Sequence, residues 1–203
     1  MIKWLFFDIG STLVDETLCE EYRIDESIKN SNISKEVFKS EMIELCKINK
    51  DGYKLTCKKY NLPITPWPSF KERDIDGVKD VLDYYYNKYN LGIIANQPLG
   101  TIDRLKARGL DKYFKVIMSS AEEGVSKPDE EIFLRALRYA NTTAIESIMI
   151  GDRIDNDMIP AIKLGFNTIW IKRSYGGMGD ENLLPKKPNY IINDIREMIN
   201  LDL

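Results

Sequence analysis

The chain has 203 residues, and its 29 basic and 32 acidic side chains leave a formal net charge of −3, which argues against a basic nucleic-acid-binding surface. It contains no histidine, which excludes Ser-His-Asp triads, Cys-His dyads and histidine-ligated zinc. Three cysteines without a CxxC pair predict no disulfide framework and favour the reducing cytoplasm. No stretch of about 18 apolar residues predicts a membrane span, and the apolar run at the N-terminus is too short for a signal peptide.

Buried strands alternate with amphipathic helices along most of the chain. Strands are predicted over 2–7, 91–95, 115–119, 147–151 and 166–172, with a short one at 190–192. Helices are predicted over 76–89, 129–140 and 156–164, where apolar residues recur at helical spacing. This alternation predicts an α/β fold, a Rossmann-like parallel sheet with helices on both faces.

Residues 14–74 break the alternation. They are rich in Glu and Lys, show helical periodicity after a candidate N-cap at Ser34, and contain no convincing strand. The segment ends in the Pro-rich stretch LPITPWPSF (62–70), which is typical of a hinge or linker. We therefore predict a helical subdomain over 14–74, inserted after the first strand of a core that comprises 1–13 and 75–203.

Polar residues follow four of the predicted strands. Ligands of open parallel sheets bind at the carboxyl ends of strands, so these residues are the candidates for a site. They are Asp8, Gly10 and Thr12 after the first strand, Asn96 after the second, Lys127 beyond the third, and Asp152 and Asp157 after the fourth. Carboxylates beside a lysine suit Mg²⁺, which takes hard oxygen ligands and substrate phosphate oxygens. The turn at Gly10 also offers main-chain amides for an anion.

Four sequence motifs, in this order, resemble those of the haloacid dehalogenase-like hydrolases. They are FFDIGSTL (6–13), LGIIAN (91–96), GVSKP (124–128) and IGDRIDND (150–157), followed by AIKLGFNTIWI (161–171). The resemblance covers nearly the whole chain, and residues 14–74 resemble the family's helical cap of the first type. It implies a hydrolase that is, like most members, an Mg²⁺-dependent phosphatase of small phosphorylated metabolites working through an aspartyl-phosphate.

The resemblance also implies a role for each candidate residue. Asp8 would be the nucleophile, Lys127 would neutralise it and the transferring group, and Asp157 would orient the lysine or metal-bound water. Asp8, Asp152 and the main-chain carbonyl of Gly10 would hold Mg²⁺. Substrate contacts are expected from Ile9, Gly10, Thr12 and Asn96.

Two positions depart from the family pattern. Most of the family's phosphatases carry a second Asp two residues after the nucleophile, as acid for the leaving group and base for water, and Gly10 stands there instead. Acid–base catalysis typically raises a reaction rate by about 10²–10⁴-fold. We therefore expect slow hydrolysis of the aspartyl-phosphate, which would appear as a burst of product from aryl phosphates. We also expect faster turnover after Gly10→Asp. Asp15 lies nearby, but the sequence does not favour it as a replacement acid, because its carboxylate would reach the site only if the loop bends. Ala95 stands where a Ser or Thr hydroxyl usually meets the phosphate.

The sequence therefore leaves three interpretations open. The leading one is an Mg²⁺-dependent phosphatase impaired in leaving-group protonation. The others are a catalytically silent protein that binds phosphate and metal, and a metal-independent hydrolase of the dehalogenase type. The Gly-Asp pattern at 151–152 favours a metal site. The sequence does not indicate an oligomeric state.

Overall fold

A computed structural model describes all 203 residues and contains a six-stranded parallel sheet. The strands are Trp4–Phe7 (β1), Val14–Asp15 (β2), Arg73–Asp74 (β3), Asn90–Ala95 (β4), Phe114–Ser119 (β5), Ser147–Gly151 (β6), Asn167–Ile171 (β7) and Tyr190–Ile192 (β8). Six of them are ordered β5-β4-β1-β6-β7-β8, while β2 and β3 form a separate two-stranded ribbon. The predicted α/β class with a parallel sheet is confirmed.

Eight α-helices accompany the strands. They are Thr17–Ile28 (α1), Lys35–Lys47 (α2), Gly52–Lys59 (α3), Val78–Tyr86 (α4), Thr101–Ala107 (α5), Ser120–Glu123 (α6), Glu130–Ala140 (α7) and Ile159–Leu164 (α8). The helix predicted over 156–164 instead starts as a π-helical turn over Ile154–Met158, and only Ile159–Leu164 is α-helical. The longest helix, α2, has 13 residues, and none of the helices could span a membrane.

Two apolar layers cover the faces of the sheet. Because successive residues of a strand point to opposite faces, Leu5 and Phe7 enter one layer, and Trp4 and Phe6 enter the other. The first layer is completed by α4 and the second by α7 and α8. Burial on both faces explains why these strands are continuous apolar runs in the sequence.

Helices α1 to α3 enclose a small apolar core of their own. It is formed by Ile24, Phe38, Met42, Tyr53 and Cys57. The two ends of this helical segment are joined by the ribbon, in which Val14 pairs with Asp74 and Asp15 with Arg73. No strand was predicted between residues 14 and 74, because two residues are too few to show an alternating pattern. The ribbon sets where α1 begins relative to the sheet.

The chain reverses direction across the sheet at β1. It passes from β1 to β4 and β5 on one side, and later returns to β6 on the other side. Such a reversal opens a crevice at the carboxyl ends of the central strands. Phe7 lies opposite both Ile93 of β4 and Ile150 of β6, so the residues that follow these three strands emerge at the same level.

Candidate active site

Four charged side chains meet in this crevice. The ammonium group of Lys127 donates hydrogen bonds to Asp8 Oδ1 at 2.7 Å and to Asp157 Oδ1 at 2.5 Å. Carboxylate oxygens of Asp8, Asp152 and Asp157 lie within 4.8 Å of one another. All four residues are buried, and Asp157 is completely so. The structure thus brings together the four residues that the sequence selected from three separate motifs.

The ends of β1 and β6 position the three carboxylates. Asp8 is the first residue after β1, and its N–H donates to the Ile150 carbonyl of β6 at 2.9 Å. Asp152 is the first residue after β6. Asp157 lies in the π-helical turn, where its Oδ2 accepts from the Arg153 N–H at 3.0 Å. That hydrogen bond and the Lys127 ammonium together fix both oxygens of Asp157.

Asn96 lies at the cavity, but its amide group is engaged. Its Nδ2 donates to the Lys127 carbonyl and its Oδ1 accepts from the Lys127 N–H, both at 2.8 Å. These two bonds hold the main chain of Lys127, so Asn96 positions the lysine besides lining the space where a substrate contact was expected. Ala95 is fully buried in the apolar layer and does not line the cavity.

The side chains of Ile9 and Thr12, both expected to contact substrate, point away from the cavity. Ile9 is packed in an apolar layer, and Thr12 is buried with a hydroxyl group that has no hydrogen-bond partner. The chain turns back sharply here, because the N–H groups of Leu13 and Val14 both donate to the Ile9 carbonyl. The turn therefore buries both side chains in the protein interior. Of the three residues of this loop that were expected to contact substrate, only Gly10 lines the cavity.

A polar cavity of about 130 Å³ lies over the four charged side chains, and no hydrophobic residue lines it. The sequence assigned Asp8, Gly10, Asn96, Lys127, Asp152 and Asp157 to it. It missed other lining residues, among them Glu16, Glu20, Gln97, Arg153 and Ser174. Glu16 and Glu20 come from the start of α1, so the helical segment contributes acidic groups to a cavity at the sheet edge.

Residues 5–171 match a family model described as haloacid dehalogenase-like hydrolase. The chain belongs to this family. The glyceraldehyde 3-phosphate phosphatase of Pyrococcus abyssi is 31% identical over 195 residues, which cover 85% of this chain and 82% of that protein. The match confirms the family that the four motifs indicated, and the chain is accordingly a hydrolase.

Two further matches extend over almost the whole length of the hydrolase. The pyrophosphatase PpaX of Listeria monocytogenes is 27% identical over 219 residues, covering 98% of this chain and 95% of that protein. The crystal structure of a haloacid dehalogenase-type phosphatase from Thermococcus onnurineus superposes with a TM-score of 0.66 at 22% identity, over 98% of this chain and 97% of that one. At that identity the structural likeness concerns the fold.

Buried negative charge dominates the active site of the hydrolase. Burial raises the pKa of Asp152 well above its usual range, and the charges of Asp157 and Asp8 raise it further. Burial also raises the pKa of Asp157, to about 6, although the Lys127 charge acts in the opposite direction. Burial alone would lower the pKa of Lys127, but the charges of Asp157 and Asp8 outweigh it and raise that pKa. The ammonium therefore stays charged among carboxylates that outnumber it.

Two glutamates that line the cavity have raised pKa values as well. Burial raises the pKa of Glu16 well above its usual range, and the nearby charges of Asp8 and Asp152 add to this. Burial raises the pKa of Glu20 to about 7, against the effect of the Arg23 charge. The hydrolase thus concentrates acidic groups around one lysine, an arrangement that is compatible with a bound divalent cation.

Asp15, which the sequence did not favour as a replacement acid, turns away from the cavity. Its carboxylate accepts from the Thr17 N–H at 2.9 Å and from the Arg173 guanidinium at 3.1 Å. It does not line the cavity, whereas the next residue, Glu16, does. The structure thus gives Asp15 no access to the cavity, and the pairing with Arg173 could not be foreseen, because Arg173 lies after β7 and nothing in the sequence relates that loop to Asp15.

Proposed function

We propose that this hydrolase is an Mg²⁺-dependent phosphatase that acts through an aspartyl-phosphate on Asp8 and lacks the family's second Asp at position 10. The observation that supports this most strongly is the buried ammonium of Lys127 held between Asp8 and Asp157. Burying such charges is costly, and natural proteins keep strongly perturbed charged groups in a cleft mainly where a function needs them.

Asp8 is the proposed nucleophile. Lys127 donates to Oδ1 of Asp8, which leaves Oδ2 free to approach phosphorus. Attack forms a bond between Asp8 and phosphorus while the bond from phosphorus to the leaving oxygen breaks, and water then hydrolyses the acyl phosphate. The Lys127 ammonium also places positive charge beside the phosphoryl oxygens, where negative charge is concentrated in the transition state.

The donor set of the site fits Mg²⁺. Asp8 and Asp152, with the main-chain carbonyl of Gly10, are the residues that would hold the ion, and all of them offer hard oxygen atoms. Burial and the mutual repulsion of the carboxylates raise the pKa of Asp152, which is the electrostatic reason that a cation belongs here. When bound, Mg²⁺ supplies neutralisation of the charge on the transferring phosphoryl group.

A small phosphorylated metabolite is the proposed substrate class. The cavity of about 130 Å³ is lined by polar groups alone, which favours a small hydrophilic leaving group. Glyceraldehyde 3-phosphate and pyrophosphate, the compounds after which the relatives are named, belong to this size class.

We propose that residues 14–74 act as a cap over a core comprising 1–13 and 75–203. The separate apolar core of α1–α3 and the ribbon that joins its ends support this division. All three cysteines are free thiols, which fits a cytoplasmic location.

Turnover of an aryl phosphate with Mg²⁺ and with a chelator tests the proposed function. We expect product release that is lost with the chelator and restored by added Mg²⁺. Activity that is indifferent to the chelator would instead favour the metal-independent hydrolase of the dehalogenase type. Mg²⁺-dependent binding of inorganic phosphate without any turnover would favour the silent binding protein.

The stability of the metal-free protein should fall as the pH rises from about 5 to about 7. The folded-state pKa of Asp157 is raised from 3.8 to about 6, so its contribution is present at low pH and is lost as the pH rises through about 6. Mg²⁺ should raise the melting temperature more at the upper end of this range, because it competes with protons for the carboxylates. Thermal unfolding with chelator and with Mg²⁺ measures both effects, and an Mg²⁺ effect that shrinks with rising pH would contradict the assignment.

Asn96→Ala should weaken both stability and catalysis. The change removes two hydrogen bonds to the Lys127 main chain, so the free energy of unfolding should fall by about 1–3 kcal/mol and kcat should fall by about tenfold. Asn182→Ala, at an exposed position with only local hydrogen bonds, is the control. Chemical denaturation and aryl phosphate kinetics provide the two measurements, and an Asn96→Ala variant as stable and active as the control would refute this positioning role.

A further inference from the structure

The proposed phosphoryl transfer needs a group that moves protons. A basic leaving oxygen must receive a proton as its bond to phosphorus breaks, and the water that hydrolyses the Asp8 phosphate must lose one. The chain contains no histidine, and Gly10 offers no side chain for this task. Lys127 is held by two carboxylates and is needed as a positive charge.

Most carboxylates at the cavity are already engaged. Asp8 is the nucleophile, and Asp152 and Asp157 accept hydrogen bonds from other side chains of the cavity. Glu16 differs from them. It stands at the N-cap of α1, yet its side chain makes no capping hydrogen bond and lines the cavity instead.

The carboxylate of Glu16 fills the space beside Gly10. A Cβ atom built on Gly10 would lie 2.6 Å from both carboxylate oxygens of Glu16. Gly10 is not among the residues with positive φ, so its backbone admits a side chain, and the group that such a side chain would have to displace is the carboxylate end of Glu16. An aspartate side chain at position 10 would compete for the volume that the Glu16 carboxylate holds, next to Asp8 in the same cavity.

We infer that Glu16 is the catalytic acid and base of this active site, standing in for the side chain that position 10 lacks. The inference rests on the proposed function and extends it. It also revises two expectations from the sequence. The parent enzyme should show no burst, and Gly10→Asp alone should not speed turnover, because its side chain would displace the Glu16 carboxylate that already moves the protons.

Glu16 gives up one proton during phosphoryl transfer to Asp8 and regains one during hydrolysis of the Asp8 phosphate. In the first step, Asp8 forms its bond to phosphorus, the bond to the leaving oxygen breaks, and the Glu16 carboxylic acid gives its proton to that oxygen. In the second step, the Glu16 carboxylate takes a proton from water as the water oxygen attacks phosphorus and frees Asp8. The enzyme returns to its starting state with Glu16 protonated.

The surroundings of Glu16 fix its main chain at this place. Val14 pairs with Asp74 in the ribbon, and Asp15 is held by the guanidinium of Arg173. The residue after these two anchors therefore enters the cavity at a defined point. Glu20 lies one turn further along α1, next to arginine charges, and carries no such relation to Gly10.

Glu16→Gln tests the inference, because it keeps the size of the side chain but replaces the carboxyl group with an amide that can neither give a proton to the leaving group nor take one from water. With Mg²⁺ present, turnover of glycerol phosphate, whose leaving group needs a proton, should fall by about 10²–10⁴-fold. With p-nitrophenyl phosphate, whose leaving group needs none, the first turnover should persist as a burst of nitrophenolate, followed by a slow steady rate. Glu44→Gln makes the same chemical change on α2, where the Glu44 side chain is 68% exposed and lies outside the cavity, and it should leave both esters near the parent rates.

Moving the carboxylate gives a second, independent test. Glu16→Ala should lose turnover of glycerol phosphate and should clear the space beside Gly10. The double variant Glu16→Ala, Gly10→Asp should turn over glycerol phosphate at least about tenfold faster than Glu16→Ala alone. Gly10→Asp in the parent enzyme should bring no gain.

The outcomes separate the inference from the proposed function. A parent enzyme that hydrolyses both esters, with a Glu16→Gln variant that is folded, equally active and without a burst, would overturn the role of Glu16 alone. Failure of Gly10→Asp to recover any rate in the Glu16→Ala background would also count against it. A parent inactive on both esters would contradict the proposed function, and the inference would fall with it.

Discussion

Replacing Asp8 by asparagine is expected to lower the turnover of phosphate esters by at least about 10³-fold, because the Asp8 carboxylate beside Lys127 is the group that forms the covalent intermediate. Asparagine has nearly the same size and keeps an oxygen that can accept the hydrogen bond from Lys127, which is 2.7 Å long in the parent protein. The change also removes one of several buried negative charges, so the fold should be retained. The measurement is kcat on p-nitrophenyl phosphate with Mg²⁺, alongside the circular dichroism spectrum.

Asp103→Asn is the matched control for this experiment. It makes the same chemical change in α5, where the Asp103 side chain is 85% exposed and lies outside the cavity. It should keep the parent turnover. A folded Asp8→Asn enzyme that retains more than about one tenth of the parent rate would mean that another residue carries the phosphoryl group.

Lys127→Met should destabilise the metal-free protein by about 3–5 kcal/mol and should also abolish turnover. Methionine replaces the aliphatic part of the side chain but leaves Asp8 and Asp157 without their counter-charge, and Asp157 is 0% exposed. Removing one partner of a buried ion pair leaves an uncompensated charge in a poorly solvated place. Urea unfolding at neutral pH with a chelator measures the loss of free energy.

A double variant separates the charge effect from lost packing. Lys127→Met combined with Asp157→Asn should recover part of the lost stability, because both members of the pair are then neutral. Lys106→Met, on an exposed side chain of α5, should leave stability near that of the parent. If Lys127→Met unfolds at the same urea concentration as the parent, Lys127 does not compensate the buried carboxylates.

The parallel sheet could be predicted from the sequence because its strands are buried on both faces. Runs such as LGIIA at 91–95 and SIMIG at 147–151 therefore contain few polar interruptions. Helix α5 gave a weaker signal, since it has only two turns and Ile102 is half exposed. The π-helical turn at Ile154–Met158 leaves no mark in the sequence, because five residues are too few to show a period different from that of an α-helix.

The charged cluster could be predicted because parallel strands end at the same edge of the sheet. Asp8, Lys127, Asp152 and Asp157 follow from that rule and from the motifs. Glu16 could not be selected in this way, since the sequence shows two adjacent acids, Asp15 and Glu16, without showing which one faces the sheet. Arg173, from a loop far along the chain, pairs with Asp15 and leaves Glu16 to the cavity. The choice depends on a tertiary contact.

The most direct test of the account is whether Asp8 becomes phosphorylated. The protein would be mixed with an aryl phosphate and Mg²⁺, quenched in acid within the first turnovers, and digested for peptide mass spectrometry, with Glu16→Gln used to slow the loss of the intermediate. We predict a phosphoryl group on the peptide that carries Asp8, present with Mg²⁺, absent with a chelator and absent in Asp8→Asn. Full turnover with no phosphoryl group on that peptide in any variant would contradict the account.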